Sequence, residues 1–246
     1  MAGVRIYVIT HKEVKKATIS PTYKRLFVGA ALNNPPKSGY LRDDEGDNIS
    51  AKNKTYCELT GLYWIWKHSD AKYCGLVHYR RYLFGEICPE RRHDKLPAGP
   101  LLLEAGEVKR ILSEKDIILP EKYVLNEYNV KSHYETFHHI KDLLCCRDVI
   151  NEKYPEYIPA FDEVMEYKTI YYANMMVAKR DLFNKYCEWL FNVLFEVEKR
   201  SDISDYDDYQ KRIFGFLSER LLNVFVRHNE LKVEIRPVYD PADFRF

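Results

Sequence analysis

The sequence predicts an α/β sandwich with a mainly parallel central sheet. Runs rich in β-branched and aromatic residues alternate along the chain with stretches whose apolar residues recur at helical spacing, and several of those runs stop abruptly at polar residues. No internal repeat or shift in composition divides the 246 residues. One domain over 1–246 is therefore expected, long enough to bury a substantial core.

Val4 to Thr10 (VRIYVIT) reads as the first strand, with His11 and Lys12 placed just past it. Leu26 to Ala30 (LFVGA) reads as a short second strand, and 33–54, with Pro35, Pro36, Gly39 and Gly46, as a long loop. Apolar residues at 59, 62, 63 and 66 predict one helix over Lys54 to His68, carrying two tryptophans against the sheet. A buried strand from Tyr73 then ends in His78, Tyr79, Arg80 and Arg81. The stretch 85–106, rich in Pro, Gly and charge, predicts a flap or insertion. A short helix over Glu104 to Ser113 leads into a strand over Asp116 to Pro120, and 123–139 reads as a partly helical polar surface. Asp142 to Lys153 is helical in pattern, Pro155 and Pro159 interrupt the chain, and Tyr171 to Ala178 follows as a strand. Asp181 to Lys199 is the clearest amphipathic helix, with 182, 183, 186, 189, 190, 193, 194 and 197 on one face. The acidic loop 201–208 caps a long helix over 209–229, and Lys232 to Tyr239 closes the chain as a strand.

Composition removes several classes. Lys plus Arg (38) balance Asp plus Glu (37), so no global field favours nucleic acid, and any anion site must be local. The six cysteines form no CxxC pair and no zinc-like spacing, which fits reduced cytosolic thiols. The start MAGVRIYVITHK enters a strand directly without the regions of a signal peptide, and no apolar run approaches the roughly 20 residues that span a bilayer. A cytoplasmic protein is expected, one that meets membrane-anchored material at the inner face. Neither a Walker A loop nor a GxSxG elbow is present, His133, His138 and His139 lack HExxH spacing, and DDEGDNISAKN lacks the spaced oxygen ligands of a calcium loop.

The stretch YCGLVHYRRYLF carries the strongest chemical signal. In open α/β sheets the carboxyl ends of the strands are where ligands bind, and here such an end delivers a histidine and two arginines. Arginine presents a permanently charged planar fork suited to phosphate oxygens, and histidine adds a hydrogen bond. The competing reading is structural: an arginine pairs with Asp43, Asp44 or Asp47 of the acidic loop. Glu58 is likewise either an exposed helix residue or an acceptor facing a ribose. Asp207 and Asp208 either cap the helix that follows or serve as a base, and Glu219 is either a buried partner of the neighbours of Arg220 or a site residue.

Several blocks resemble bacterial capsular and exopolysaccharide glycosyltransferases that carry an HYRRY signature. They are THK at 10–12, GYLRDDEGDNIS at 39–50, KNKTYCELTGLYWIWK at 52–67, GLVHYRRYLF at 75–84, YYANMMV at 171–177 and GFLSERLLNVF at 215–225. The resemblance runs nearly end to end and implies a GT-A-like fold and nucleotide-sugar transfer, with members associated with galactosyl or galactofuranosyl transfer. It implies a UDP-sugar donor bound by Thr10, His11, Lys12, Asp44, Asn48, Asn53, Glu58, His78, Arg80 and Arg81. It further implies catalysis through His78, Arg80, Asp207 and Asp208, and a sugar or acceptor pocket at Tyr172, Asn174, Gln210 and Glu219. The acceptor is expected to be an oligosaccharide or lipid-linked glycan, with peripheral membrane contact. GT-A enzymes normally hold a divalent cation on an Asp-x-Asp motif, and His78 and Arg80 stand where those carboxylates are expected. The diphosphate is then held by side chains alone, or else manganese or magnesium sits on Asp43, Asp44 and Asp47. A noncatalytic carbohydrate-binding or glycan-assembly module on the same fold is the alternative.

Overall fold

The computed structural model describes residues 3–14, 20–36, 38–85 and 102–239. Most of the expected flap, and Cys88, lie outside the described residues. The strands are β1 (Val4–Thr10), β2 (Tyr23–Phe27), β3 (Leu41–Arg42), β4 (Tyr73–His78), β5 (Tyr82–Leu83), β6 (Ile117–Pro120), β7 (Tyr123–Val124), β8 (Thr169–Ile170), β9 (Met176–Lys179), β10 (Val233–Arg236) and β11 (Val238–Tyr239). The helices are α1 (Asn53–Tyr56), α2 (Leu59–His68), α3 (Ala105–Glu114), α4 (Val130–Phe137), α5 (Ile140–Lys153), α6 (Ile158–Met165), α7 (Arg180–Arg200) and α8 (Ile213–His228).

Seven strands form one sheet in the order β10-β6-β9-β4-β1-β2-β3. Neighbours run parallel except at β9, which is antiparallel to both β4 and β6. The sheet is therefore mixed but mainly parallel, as the alternation predicts. The period-two rule of strands explains the layers. On β1, Tyr7 and Ile9 face the larger core, built with α2 and α5 to α8, while Ile6 and Val8 face a smaller core against α3. The same division separates Leu76 from Val77, Leu119 from Ile118, and Met176 from Val177. Gly75 is required where β4 meets β9, because a Cβ there would stand 2.1 Å from the Met176 carbonyl oxygen.

Helix α7 forms where the periodic stripe predicts it, and its face buries Phe183, Tyr186, Leu190, Leu194 and Val197. Three local expectations need correction. The second strand lies at 23–27 rather than 26–30: the Val28 amide still donates to the Thr10 carbonyl of β1 at 2.9 Å, and the chain then turns at Gly29, whose φ is +68°. The single helix expected over 54–68 is broken at Cys57, whose φ is 51° and ψ −127°. The strand expected over 171–178 begins only at Met176, because Ala173 and Asn174 adopt φ of 64° and 52°. Both breaks lie at the carboxyl edge of β1 and β4.

Candidate functional site

That edge is organised by a tight turn. The amide of His78 donates to the Arg81 carbonyl (3.1 Å) and the amide of Arg81 to the His78 carbonyl (3.0 Å), so Tyr79 and Arg80 form the tip. The Tyr79 amide donates to the Ile9 carbonyl at 3.0 Å, which holds the tip beside the end of β1. His11 meets the Tyr79 ring edge-on at 5.5 Å, while Lys12 Nζ and the Arg80 guanidinium approach the same ring at 5.0 and 5.2 Å. Thr10 hydrogen-bonds through its hydroxyl to the Lys12 carbonyl at 2.6 Å.

A second wall is the turn before β9. Because β9 runs against its neighbours, its start lies at the same edge where β1 and β4 end. Left-handed backbone at a non-glycine residue costs on the order of 1 kcal/mol or more and persists only where its surroundings hold it. Here the holders are site side chains. Glu219 Oε1 accepts the Ala173 amide at 3.0 Å, and His78 Nε2 lies 2.6 Å from the Ala173 carbonyl oxygen, which assigns the ring proton to Nε2. Asn174 Nδ2 donates to Glu58 Oε1 at 2.6 Å. Asn174 is 2% exposed, and its Oδ1 has no partner among the described residues.

The remaining walls come from the α1–α2 junction and the start of α8. Cys57 Sγ accepts from Arg212 Nε at 3.3 Å, and burial pushes its thiol up to about 11, so it stays protonated. Glu219 Oε2 pairs with Arg220 Nη1 at 3.1 Å. Burial holds the Glu219 carboxyl above its usual range, Glu58 adds to this, and Arg220 opposes it. Burial also lowers His78, against the pull of Glu58 and the Ala173 carbonyl, with Arg81 and Arg80 lowering it further. His78 is thus a neutral hydrogen-bond donor near pH 7.

These walls enclose a cavity of about 590 Å³, within the range of small-molecule sites. Of the expected residues, Thr10, His11, Asn53 and Glu58 line it, as do His78, Arg80, Arg81, Asp208 and Glu219. Lys54, Cys57, Lys211 and Arg212 line it as well and lie outside the expected set. The cations Lys54, Arg80, Arg81, Lys211 and Arg212 outnumber the carboxylates Glu58, Asp208 and Glu219. Two of those cations stand at the N-terminal end of α8, which carries no acidic residue in its first turn. A helix N-terminus disfavours cations, and that reversal is the one sequence signal for Lys211 and Arg212. The arrangement favours an anion carrying more than one charge.

The other expected residues are engaged elsewhere. Asp43 is fully buried and accepts the amides of Gly29 (2.9 Å) and Ala30 (3.0 Å) and the Ser50 hydroxyl. Asp44 forms a two-pronged pair with Arg42, at 2.9 and 2.6 Å. Asp47 meets Tyr63 and Lys67, and Asn48 bonds the carbonyls of Asp44 and Gly46. Asp44 and Asn48 do not line this cavity. Asp43, Asp44 and Asp47 do not fit a shared cation, since each is engaged by a different partner. Among the described residues no three His, Cys, Asp or Glu side chains converge to hold one. Asp207 accepts the Gln210 amide at 2.7 Å in the turn that precedes α8 and does not line the cavity. Gln210 bonds the Phe137 carbonyl and His138, and Tyr172 packs beside Tyr123 with the Arg81 guanidinium 5.4 Å from its ring.

Comparison with known proteins agrees with this architecture. The apo structure of WbbM, described as a bifunctional glycosyltransferase, superposes with a TM-score of 0.83 at 32% identity, over 97% of this chain and 45% of that one. The chain thus spans less than half the length of that protein, and its fold is the GT-A-like α/β sandwich of that neighbour. Comparison with curated proteins gives no match. A family profile described as a domain of unknown function, DUF4422, matches residues 5–230, and the chain belongs to that family.

Proposed function

We propose that this chain is a nucleotide-sugar-dependent glycosyltransferase that moves a hexose, galactose or galactofuranose, from a UDP-sugar to a growing capsular, O-antigen or exopolysaccharide glycan. One observation carries the reading: a cavity at the carboxyl edge of the sheet where five cationic side chains outnumber three carboxylates. The likeness to a bifunctional glycosyltransferase supports it.

In the transfer, the acceptor oxygen bonds to the anomeric carbon while the bond from that carbon to the diphosphate oxygen breaks. The electron pair leaves with UDP, so negative charge grows on the diphosphate as the sugar acquires oxocarbenium character. Arg80 and Arg81, with Lys211 and Arg212, stabilise that charge. His78, neutral and bonded to Ala173, fixes the turn that carries them. The acceptor hydroxyl proton passes to a cavity carboxylate. Glu219 has one oxygen on the Ala173 amide and the other on Arg220, which leaves Asp208 and Glu58 as the proton acceptors to separate. Among the described residues no helix is long and apolar enough to cross a membrane. We separately propose that work on a lipid-linked acceptor takes place at the cytoplasmic membrane face.

Calorimetric titration with UDP and UDP-hexoses tests the reading. Micromolar UDP binding is expected, weakened at least tenfold in Arg80→Ala by loss of a charge-assisted contact of roughly 1.5–3 kcal/mol. Glycan binding with no nucleotide affinity would instead identify a noncatalytic carbohydrate-binding module.

A further inference from the structure

Beside the main cavity lies a smaller chamber of about 250 Å³, lined by His133, His138, Tyr209, Phe216 and Arg220. Cys57, Glu58, Arg212 and Glu219 are walls of both spaces. We propose that this chamber is the acceptor subsite, holding one uncharged sugar ring of the acceptor glycan with its attacking hydroxyl at Glu58. The proposal rests on the glycosyl-transfer reading and adds where the second substrate binds.

Size, wall chemistry and charge point the same way. Drug-sized ligands occupy pockets from roughly 300 Å³ upward, so a chamber of about 250 Å³ admits a single ring rather than a nucleoside diphosphate. Its wall is a continuous aromatic surface: His138 stacks on Phe216 at 4.0 Å, and Tyr209 meets Phe216 at 5.2 Å. Tyr209 is 53% exposed, so an apolar ring face is available at the mouth. The C–H face of a sugar is electropositive and sits favourably over the negative face of an aromatic ring. Burial and Arg220 push His138 down to about 4, so that ring is neutral near pH 7.

Polar groups suited to hydroxyls stand opposite. Arg220 is 4% exposed, and its Nη atoms reach Glu219, the Phe216 carbonyl and His133. Its Nε has no partner among the described residues, although a buried donor normally finds one. With Arg220 balanced by Glu219, the chamber lacks the cationic excess of the main cavity and suits a neutral ligand. Glu58 faces both spaces whereas Asp208 lines the main cavity alone, which makes Glu58 the proton acceptor for a hydroxyl entering from the chamber.

The test uses the whole chain, UDP, UDP-hexoses and a panel of methyl and octyl hexopyranosides and hexofuranosides as acceptor probes. Saturation-transfer NMR of the glycosides with UDP present, and initial rates of transfer, are compared for wild type, Tyr209→Ala and Phe216→Leu. Tyr209 is exposed, so its variant folds even if Phe216→Leu does not. We expect the acceptor KM to rise on the order of tenfold and the NMR signal to fall, with the UDP dissociation constant within about twofold of wild type. An unchanged acceptor KM and NMR signal in both variants overturns the proposal. So does an equal weakening of UDP binding, which makes the chamber a base pocket, or a wild type that binds UDP yet shows no signal from any glycoside. A wild type that neither binds UDP nor uses any UDP-hexose overturns the glycosyl-transfer reading itself, and this proposal with it.

Discussion

Two polar clusters follow parallel strands at the same edge of the sheet, and they differ in how completely their groups are engaged. In 43–47, after β3, every carboxylate named by the sequence reading has an internal partner: Asp43 with two amides and Ser50, Asp44 with Arg42, and Asp47 with Tyr63 and Lys67. In 78–81, after β4, the backbone is tightly bonded, but among the described residues neither Arg80 nor Arg81 forms an ion pair. Each lies only against a tyrosine ring, Tyr79 or Tyr172. A charged group with internal partners serves the fold. A fixed charge without one, at the wall of a cavity, stays available to an incoming ligand of opposite sign.

The largest effect expected from this contrast is on turnover. Arg81→Ala should lower kcat/KM for a UDP-hexose by about 10²–10³-fold, the usual cost of removing one group that stabilises transition-state charge. The melting temperature should move little, because no ion pair of the fold is broken. A stability loss matching the activity loss would break the contrast. Asp43→Ala should do the reverse. Removing a fully buried acceptor that serves three donors should cost about 2–4 kcal/mol by urea denaturation, with the UDP dissociation constant of the folded fraction unchanged.

The sequence made one of these clusters legible and misread the other. Strand β4 and its polar end could be read because a buried apolar run stopping at HYRR has few other meanings. The acidic loop misled because residue type shows charge but not partner. Asp43 is invisible as a buried turn anchor until Gly29 and Ser50 are seen beside it. Ala173, Asn174 and Cys57 carry positive φ without the glycine that signals it, so the sequence pattern makes the strand too long and the helix unbroken. Lys54 lies on a turn of helix that looks like ordinary solvated surface, and nothing local marks it as lining a cavity.

Acid should separate the loop after β3 from the chamber beside the cavity by pH window. His138, beside the cavity, is pushed down to about 4, chiefly by burial. A histidine whose folded pKa lies below its unfolded value of about 6.5 stabilises the fold above pH 6.5, and that contribution is lost as pH falls toward 4. Asp44 is lowered by its bond to Arg42, so its contribution is present above the ordinary carboxylate range and lost only below it. The unfolding free energy of wild type, read from urea denaturation, should fall as pH drops from about 6.5 to about 4. His138→Gln should flatten that limb by about 1 kcal/mol, allowing for solvent screening of a partly exposed ring. Asp44→Asn should leave that limb unchanged and alter only the lower one. If Asp44→Asn flattened the upper limb as well, the loop and the chamber would be coupled.

The smallest effect belongs to Asp44 at neutral pH, and it is the most discriminating. The Arg42–Asp44 pair has side chains 44% and 19% exposed and ties the end of β3 to the loop that follows it. Exposed pairs of this kind contribute about 0–1 kcal/mol. Asp44→Ala should therefore change the unfolding free energy by less than about 1 kcal/mol and leave UDP binding unaltered. The same variant decides whether the acidic loop has any part in holding a cation. Turnover measured in EDTA and in manganese should respond identically in wild type and Asp44→Ala, because Asp44 is held by Arg42 on both oxygens. A manganese-stimulated rate that vanishes in Asp44→Ala would mean that the Arg42 pair opens to admit the metal. The loop after β3 would then be a functional partner of the turn after β4, and internal engagement would no longer separate the two.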